Sequence, residues 1–209
     1  MTITPDLLLR ALTLPSFDPA PAMRAMAPLG REARRADPPP RQAGVLALIA
    51  PDLADGLQVV LTRRTERLNG HSGQMSFPGG RRDPDDPDFW HTALRETREE
   101  LGIDTDGIQQ LGALTPLYIP PSHYDVYPWV GFLPALPALA PNPHEVAEVY
   151  LAPLAALLAD DCKCTAQLTL PNGQTRAVPA YRLCGQEVWG ATAIMLSELE
   201  HRMRAVLGC

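Results

Sequence analysis

Glu96, Glu99 and Glu100 stand at i, i+3 and i+4 in the stretch ALRETREELGI. Like charges at that spacing repel by about 0.2–0.5 kcal/mol per pair on an exposed helix, so arginine neighbours or a bound cation must compensate. Carboxylate oxygens suit a hard divalent ion such as Mg²⁺ or Mn²⁺, which proteins hold with a few carboxylates plus substrate phosphates. Arg95 and Arg98 are interleaved with the acids, and a solvated, ion-paired helix face is the competing reading. Two further features favour the cation. A long loop rich in Gly, Pro and Asp precedes the segment, and it contains Gly79-Gly80 followed by Arg81-Arg82. A glycine pair leaves amides and carbonyls unobstructed beside the carboxylates.

The element that must position these groups is a helix from Phe89 to Leu101. Asp88 stands at its N-cap and Gly102 supplies the stop. With successive residues about 100° apart, Trp90, Leu94, Thr97 and Leu101 fall within about 60° of one another, and the three glutamates span about 100° on a different side. One face packs and another is acidic. Upstream, residues 44–50 (GVLALIA) and 57–64 (LQVVLTRR) read as strands, and the loop from 68 to 88 is long enough to be functional. Downstream, LGALTPLYI and YDVYPWVGFL read as strands around a PPS turn. VAEVYLAPLAALLAD reads as a strand and then a helix, and Asn172-Gly173 marks a hairpin. The last segment, GATAIMLSELEHRMRAVL, reads as an amphipathic helix with Ile194, Leu196, Leu199, Met203 and Leu207 on its apolar side. Thr4 to Leu12 reads as a short capped helix, and Pro15 to Gln42 as a loose Pro/Arg-rich arm. The expected organisation is an N-terminal helix and arm over 1–42 and one domain over 43–209. Strands interleaved with helices imply an α/β fold, an α/β/α sandwich with a mixed β-sheet.

The 209 residues, 45% of them hydrophobic and 20% charged, describe a globular chain with a real core. A formal net charge of −6 gives no global basic field for nucleic acid. Four cysteines without paired C-x-x-C spacing make structural zinc a poor fit. The N-terminus lacks a secretory pattern, no apolar run reaches the ~20 residues of a membrane span, and cytoplasm is the expected location.

Gly80 and the run Arg95-Glu96-Thr97-Arg98-Glu99-Glu100-Leu101-Gly102-Ile103 resemble the Nudix box. Thr97 stands where that box has an aliphatic residue. The left half needs one extra loop residue to restore Gly80, which leaves Asp86 or Asp88 in place of the glutamate that braces the box arginine, here Arg95. The run from Leu61 to Gly80, with Asn142 to Val149 and Trp189 to Ala193, resembles the coenzyme A pyrophosphatase branch.

The resemblance implies a Nudix-type α/β/α fold and metal-dependent hydrolysis of a nucleoside diphosphate linked to another moiety. For coenzyme A the products are 4′-phosphopantetheine and adenosine 3′,5′-bisphosphate. Glu96, Glu99 and Glu100, with the Gly80 carbonyl, are then the ligands for Mg²⁺ or Mn²⁺, and Arg95 orients the glutamates from behind. Arg67, with Arg63 or Arg64 behind it, holds phosphate oxygens, and His71, Gly73, Gln74 and Phe77 complete the substrate contacts. If a separate base is used, Glu100, Glu145 and Glu148 are its candidates. Other readings stay open: a Nudix hydrolase of ADP-ribose, NADH, another dinucleotide or an oxidised nucleotide, or a Nudix-fold binding module without catalysis. The arm is read as disordered, as a cover over the substrate, or as a contact within a homodimer.

Overall fold

The computed structural model describes residues 3–28, 37–54, 56–65, 73–169 and 173–208. The central sheet is built around β1 (Arg41–Pro51), which pairs antiparallel with β2 (Leu57–Arg64) over its C-terminal half and with β4 (Gly79–Arg81) over its N-terminal half. Its other edge pairs parallel with β7 (Tyr124–Phe132), so the sheet is mixed. β3 (Met75–Ser76) and β8 (Val146–Pro153) add to β2, while β5 (Gln109–Ala113) and β6 (Leu117–Ile119) add to β7. The 68–88 loop expected from sequence is therefore interrupted by β3 and β4, two pieces too short to show a period of their own.

Alternation along β1 sorts the core into two layers. Leu46 and Leu48 face α3 (Phe89–Leu101), where Trp90, Ala93 and Leu101 cover them. Ala43, Ala47 and Ile49 face the opposite way, toward α1 (Pro5–Leu12) and α4 (Gly190–Leu207). Helices on both faces of a mixed sheet make the expected α/β/α sandwich. Leu196, Leu199 and Met203 on α4 are fully buried, and each such side chain contributes about 1.5–3 kcal/mol.

Three expectations change. The segment expected as a loose arm contains α2 (Ala20–Met26), whose Ala22 and Met26 are buried; the Ala22 carbonyl accepts from Ser197 Oγ on α4. The helix expected after β8 is a 3₁₀ segment, Leu154–Leu158. Helix α4 is covered nearly all round, with Ser197, Glu198, Glu200 and Arg202 buried beside its leucines. Its polar side is covered by α1 and α2 and by a second sheet of β9 (Lys163–Thr169), β10 (Thr175–Leu183) and β11 (Gln186–Trp189).

Candidate active site

Helix α3 is held at both ends. Asp88 accepts from the His91 amide at 2.9 Å, and Gly102 sits in the left-handed region at φ 67°, its amide bonded to the Arg98 carbonyl. Glu100 lies at about 20° from Ala93 around the helix and Glu99 at about 120° from it. That difference decides their fates. Glu100 is 2% exposed and faces the sheet, whereas Glu99 is exposed and rests against Arg95 at 3.3 Å.

Strand β4 approaches this face closely. A Cβ on Gly80 would overlap the Glu96 carboxylate, and one on Gly79, at φ 149°, would strike the Gly44 carbonyl at 2.5 Å. Only glycine fits either position. The Gly79 amide donates to Glu100 at 3.2 Å, and Arg64 stands 3.6 Å from the same carboxylate.

A third carboxylate arrives from a distant loop. The Asn142 amide donates to the Glu100 carbonyl at 2.9 Å, and the Asn142 side chain donates to Glu145 at 3.2 Å. The Glu145 carbonyl accepts from the Thr65 amide. These bonds dock residues 140–146 on the end of α3 and bring oxygens of Glu96, Glu100 and Glu145 within 4.8 Å of one another. Burial, with Glu96 and Glu145 adding repulsion, pushes Glu100 up to about 8 against the pull of Arg64 and the Gly79 amide. Burial likewise raises Glu96. Three all-oxygen donors, two of them short of compensating positive charge, fit a hard divalent cation.

Arg95 is fixed behind the cluster. It donates to both Asp86 oxygens at 3.1 Å and to the Arg81 carbonyl at 2.9 Å, and stands 3.0 Å from Glu96. The Arg95 bond holds Asp86 down at about 2. Of the two acids left open by the sequence, Asp86 braces Arg95 and Asp88 caps the helix.

The remaining sequence candidates divide. Arg64 reaches the cluster, while Arg63, on the other face of β2, pairs with Glu148. Glu148 also accepts from Tyr150, and these bonds, Tyr150 first, lower it; it is not in the cluster. Gly73, at φ 67°, donates its amide to the Arg64 carbonyl, and the Gln74 carbonyl accepts from the Arg64 amide. Phe77 is 2% exposed and packs in the core. Arg67 and His71 lie outside the described residues. Sequence reasoning placed Glu145 only among the bases; the signal for its convergence was its nearness to Asn142, whose side chain tethers it. Thr192, in the Trp189–Ala193 turn, was read only as part of a motif; its buried hydroxyl donates to the Met75 carbonyl at 2.9 Å and ties α4 to β3.

The NUDIX domain family matches residues 38–169. The chain belongs to the NUDIX domain family. An uncharacterized Nudix hydrolase, NudL, of Photorhabdus laumondii is 37% identical over 146 residues, covering 70% of this chain and 77% of that one. A mitochondrial coenzyme A diphosphatase of Homo sapiens is 38% identical over 158 residues, covering 74% and 67%. Among solved structures, a MutT/nudix family protein from Enterococcus faecalis superimposes with a TM-score of 0.53 at 18% identity, over 85% of this chain and 71% of that one. MutT protein from Methanosarcina mazei gives 0.52 at 17%, over 79% and 96%. These two show the fold alone. The chain is a Nudix pyrophosphohydrolase, an enzyme of a family that acts on small nucleotide derivatives and generally needs divalent metal ions. No described helix is long and apolar enough to cross a membrane.

Proposed function

We propose that this enzyme hydrolyses the pyrophosphate bond of coenzyme A, giving 4′-phosphopantetheine and adenosine 3′,5′-bisphosphate. The observation that carries the hydrolytic part is the convergence of Glu96, Glu100 and Glu145 beside Gly79-Gly80. The choice of coenzyme A is supported by the stretch from Leu61 to Gly80 that runs into that glycine pair, and by the likeness to a coenzyme A diphosphatase.

Glu96, Glu100 and Glu145 would hold Mg²⁺ or Mn²⁺, with the Gly80 carbonyl and Glu99 at the rim. Divalent cations bound there supply Lewis acidity, neutralising pyrophosphate charge and making water more acidic. Arg64, and Arg67 from the preceding loop, pair with phosphate oxygens. Arg95, braced by Asp86, fixes the rotamer of Glu96 and is a positioning residue. A water oxygen bonds to one phosphorus, the bridging P–O bond breaks, and the bridging oxygen leaves on the other phosphate. The water proton passes to Glu100 or Glu145, the two candidate bases that face the cluster. Glu148, engaged by Arg63 and Tyr150, is a poor acceptor. We place the enzyme in the cytoplasm, where coenzyme A is at hand.

The test is a panel of coenzyme A, acyl-coenzyme A, ADP-ribose and NADH with Mg²⁺ or Mn²⁺, its products separated chromatographically. Coenzyme A should be cut into the two named halves. Intact coenzyme A beside cleaved ADP-ribose would refute the substrate while leaving the hydrolase.

A further inference from the structure

Glu145 is the carboxylate of the cluster that does not come from α3, and its place depends on a turn. Residues 142–146 close on themselves. The Asn142 carbonyl accepts from the Glu145 amide at 3.0 Å and from the Val146 amide at 2.8 Å, and Asn142 Oδ1 accepts from the His144 amide at 3.1 Å. With the Asn142 side chain donating to Glu145 at 3.2 Å, the turn and its carboxylate form one unit. What remains to be set is where that unit sits.

Its first end is tied to α3, where the Ala140 and Asn142 amides donate to the Leu101 and Glu100 carbonyls, both at 2.9 Å. Its second end runs into β8 through a break in the ladder. Glu148 pairs with Arg63, but Val146, and not Ala147, stands opposite Arg64. One extra residue in a strand is a β-bulge, which disrupts the pairing locally and re-aims the side chains beside it. Unbroken pairing would set Val146 against Thr65. The bulge advances β8 by one residue, and the Thr65 amide donates instead to the Glu145 carbonyl at 3.0 Å.

Thr65 holds the turn twice. Besides the amide bond, its hydroxyl donates to the His144 carbonyl at 3.1 Å, so one residue grips two successive carbonyls just where the ladder is broken. The neighbouring Arg64 turns its backbone the other way, its amide donating to the Gln74 carbonyl and its carbonyl accepting from the Gly73 amide. Thr65 is 8% exposed. A valine would match its shape without the hydroxyl's donor, so the bond to His144 is what threonine adds at this position.

We propose, on the reading that Glu96, Glu100 and Glu145 hold a divalent cation, that Thr65 is a positioning residue for Glu145. Its hydroxyl fixes the turn across the bulge, and the turn carries the Glu145 carboxylate to Glu96 and Glu100. Loss of the hydroxyl leaves all three carboxylates present and lets one drift from the other two. A small hard cation that demands near-ideal octahedral geometry tolerates little of that drift.

The experiment measures Mn²⁺ affinity of the full chain, by paramagnetic relaxation of water protons, in wild type, Thr65→Val, Thr65→Ser, Glu145→Gln and the Thr65→Val/Glu145→Gln double variant. Thr65→Val should weaken Mn²⁺ binding about tenfold, the scale on which groups supporting a metal ligand act, and Thr65→Ser, which keeps the hydroxyl, should stay within about twofold of wild type. In the Glu145→Gln background Thr65→Val should weaken binding no further, because the carboxylate that it places is gone. Thermal melts without metal read the plain loss of a hydrogen bond separately, and that loss should be the same in either background. Thr65→Ala takes the place of the valine variant if the latter fails to fold. An equal loss of affinity in both backgrounds, or none in either, overturns the proposal. Glu145→Gln that binds Mn²⁺ as wild type does is a different failure: it removes Glu145 from the ligand set, and the role of Thr65 falls with that reading.

Discussion

Glu100 on α3 and Glu200 on α4 are the same residue type, buried to 2% and 0% exposure, and they behave oppositely. Burial raises Glu100 to about 8, because Arg64 at 3.6 Å and one amide are all that oppose it. Burial also works to raise Glu200. There, bonds from Lys163 at 2.8 Å, from the Tyr181 hydroxyl and from Arg204 at 2.7 Å outweigh it, and Glu200 is lowered. Donors, rather than depth, set the sign. Glu200 is complete within the protein and joins α4 to the second sheet, whereas Glu100 has only the Gly79 amide and Arg64 to favour its charged form.

Three substitutions sharpen that contrast. Glu100→Gln should lower kcat about 1,000-fold, or about 4 kcal/mol of barrier, with the fold kept. Its stability signature has a defined sign. The folded carboxyl holds its proton more tightly than the unfolded one, so metal-free wild type loses stability as pH rises from 4.5 to about 8. Thermal melts of Glu100→Gln should be flatter across that window, and added Mg²⁺ should flatten wild type in the same way. A variant with near-wild-type turnover would exclude Glu100 from the site.

Glu200→Gln is the reverse case: stability should fall by about 3 kcal/mol, since Lys163 and Arg204 lose their counter-charge, while kcat of the folded protein stays put. Denaturant titration with a parallel assay checks it, and a kcat loss at full stability would break the contrast. The smallest effect belongs to Asp86→Asn, which leaves Arg95 with a neutral partner. Affinity for Mn²⁺, read by its paramagnetic relaxation of water protons, should fall about tenfold. An equal loss in Asp88→Asn would mean the two acids are not divided as described.

Much of this was written locally. Asp88 and Gly102 mark the ends of α3, and the angles of its glutamates follow from helix geometry. Those same angles separate Glu99 from Glu100 once the packed side is known, but sequence spacing alone treated them alike. Asp88 was legible as the N-cap, but which of Asp86 and Asp88 braces Arg95 was not, because both are acids near the helix start; the position of Arg95 in space decides it. The amphipathic reading of α4 failed for a remote reason. Its apolar stripe was seen, but what covers Glu198, Glu200 and Arg202 comes from Thr115, from Ala11 and from Lys163, all far away in sequence.

The last carbonyls of α3 have a consequence for motion. Leu101 and Glu100 give theirs to the amides of Ala140 and Asn142, the loop that carries Glu145. Fraying of the helix terminus and departure of that loop are thus one event, and deuterium uptake at 140 and 142 would track it directly. Glu145 is thereby held to the end of α3 by backbone bonds of its own loop as well as by the Asn142 side chain.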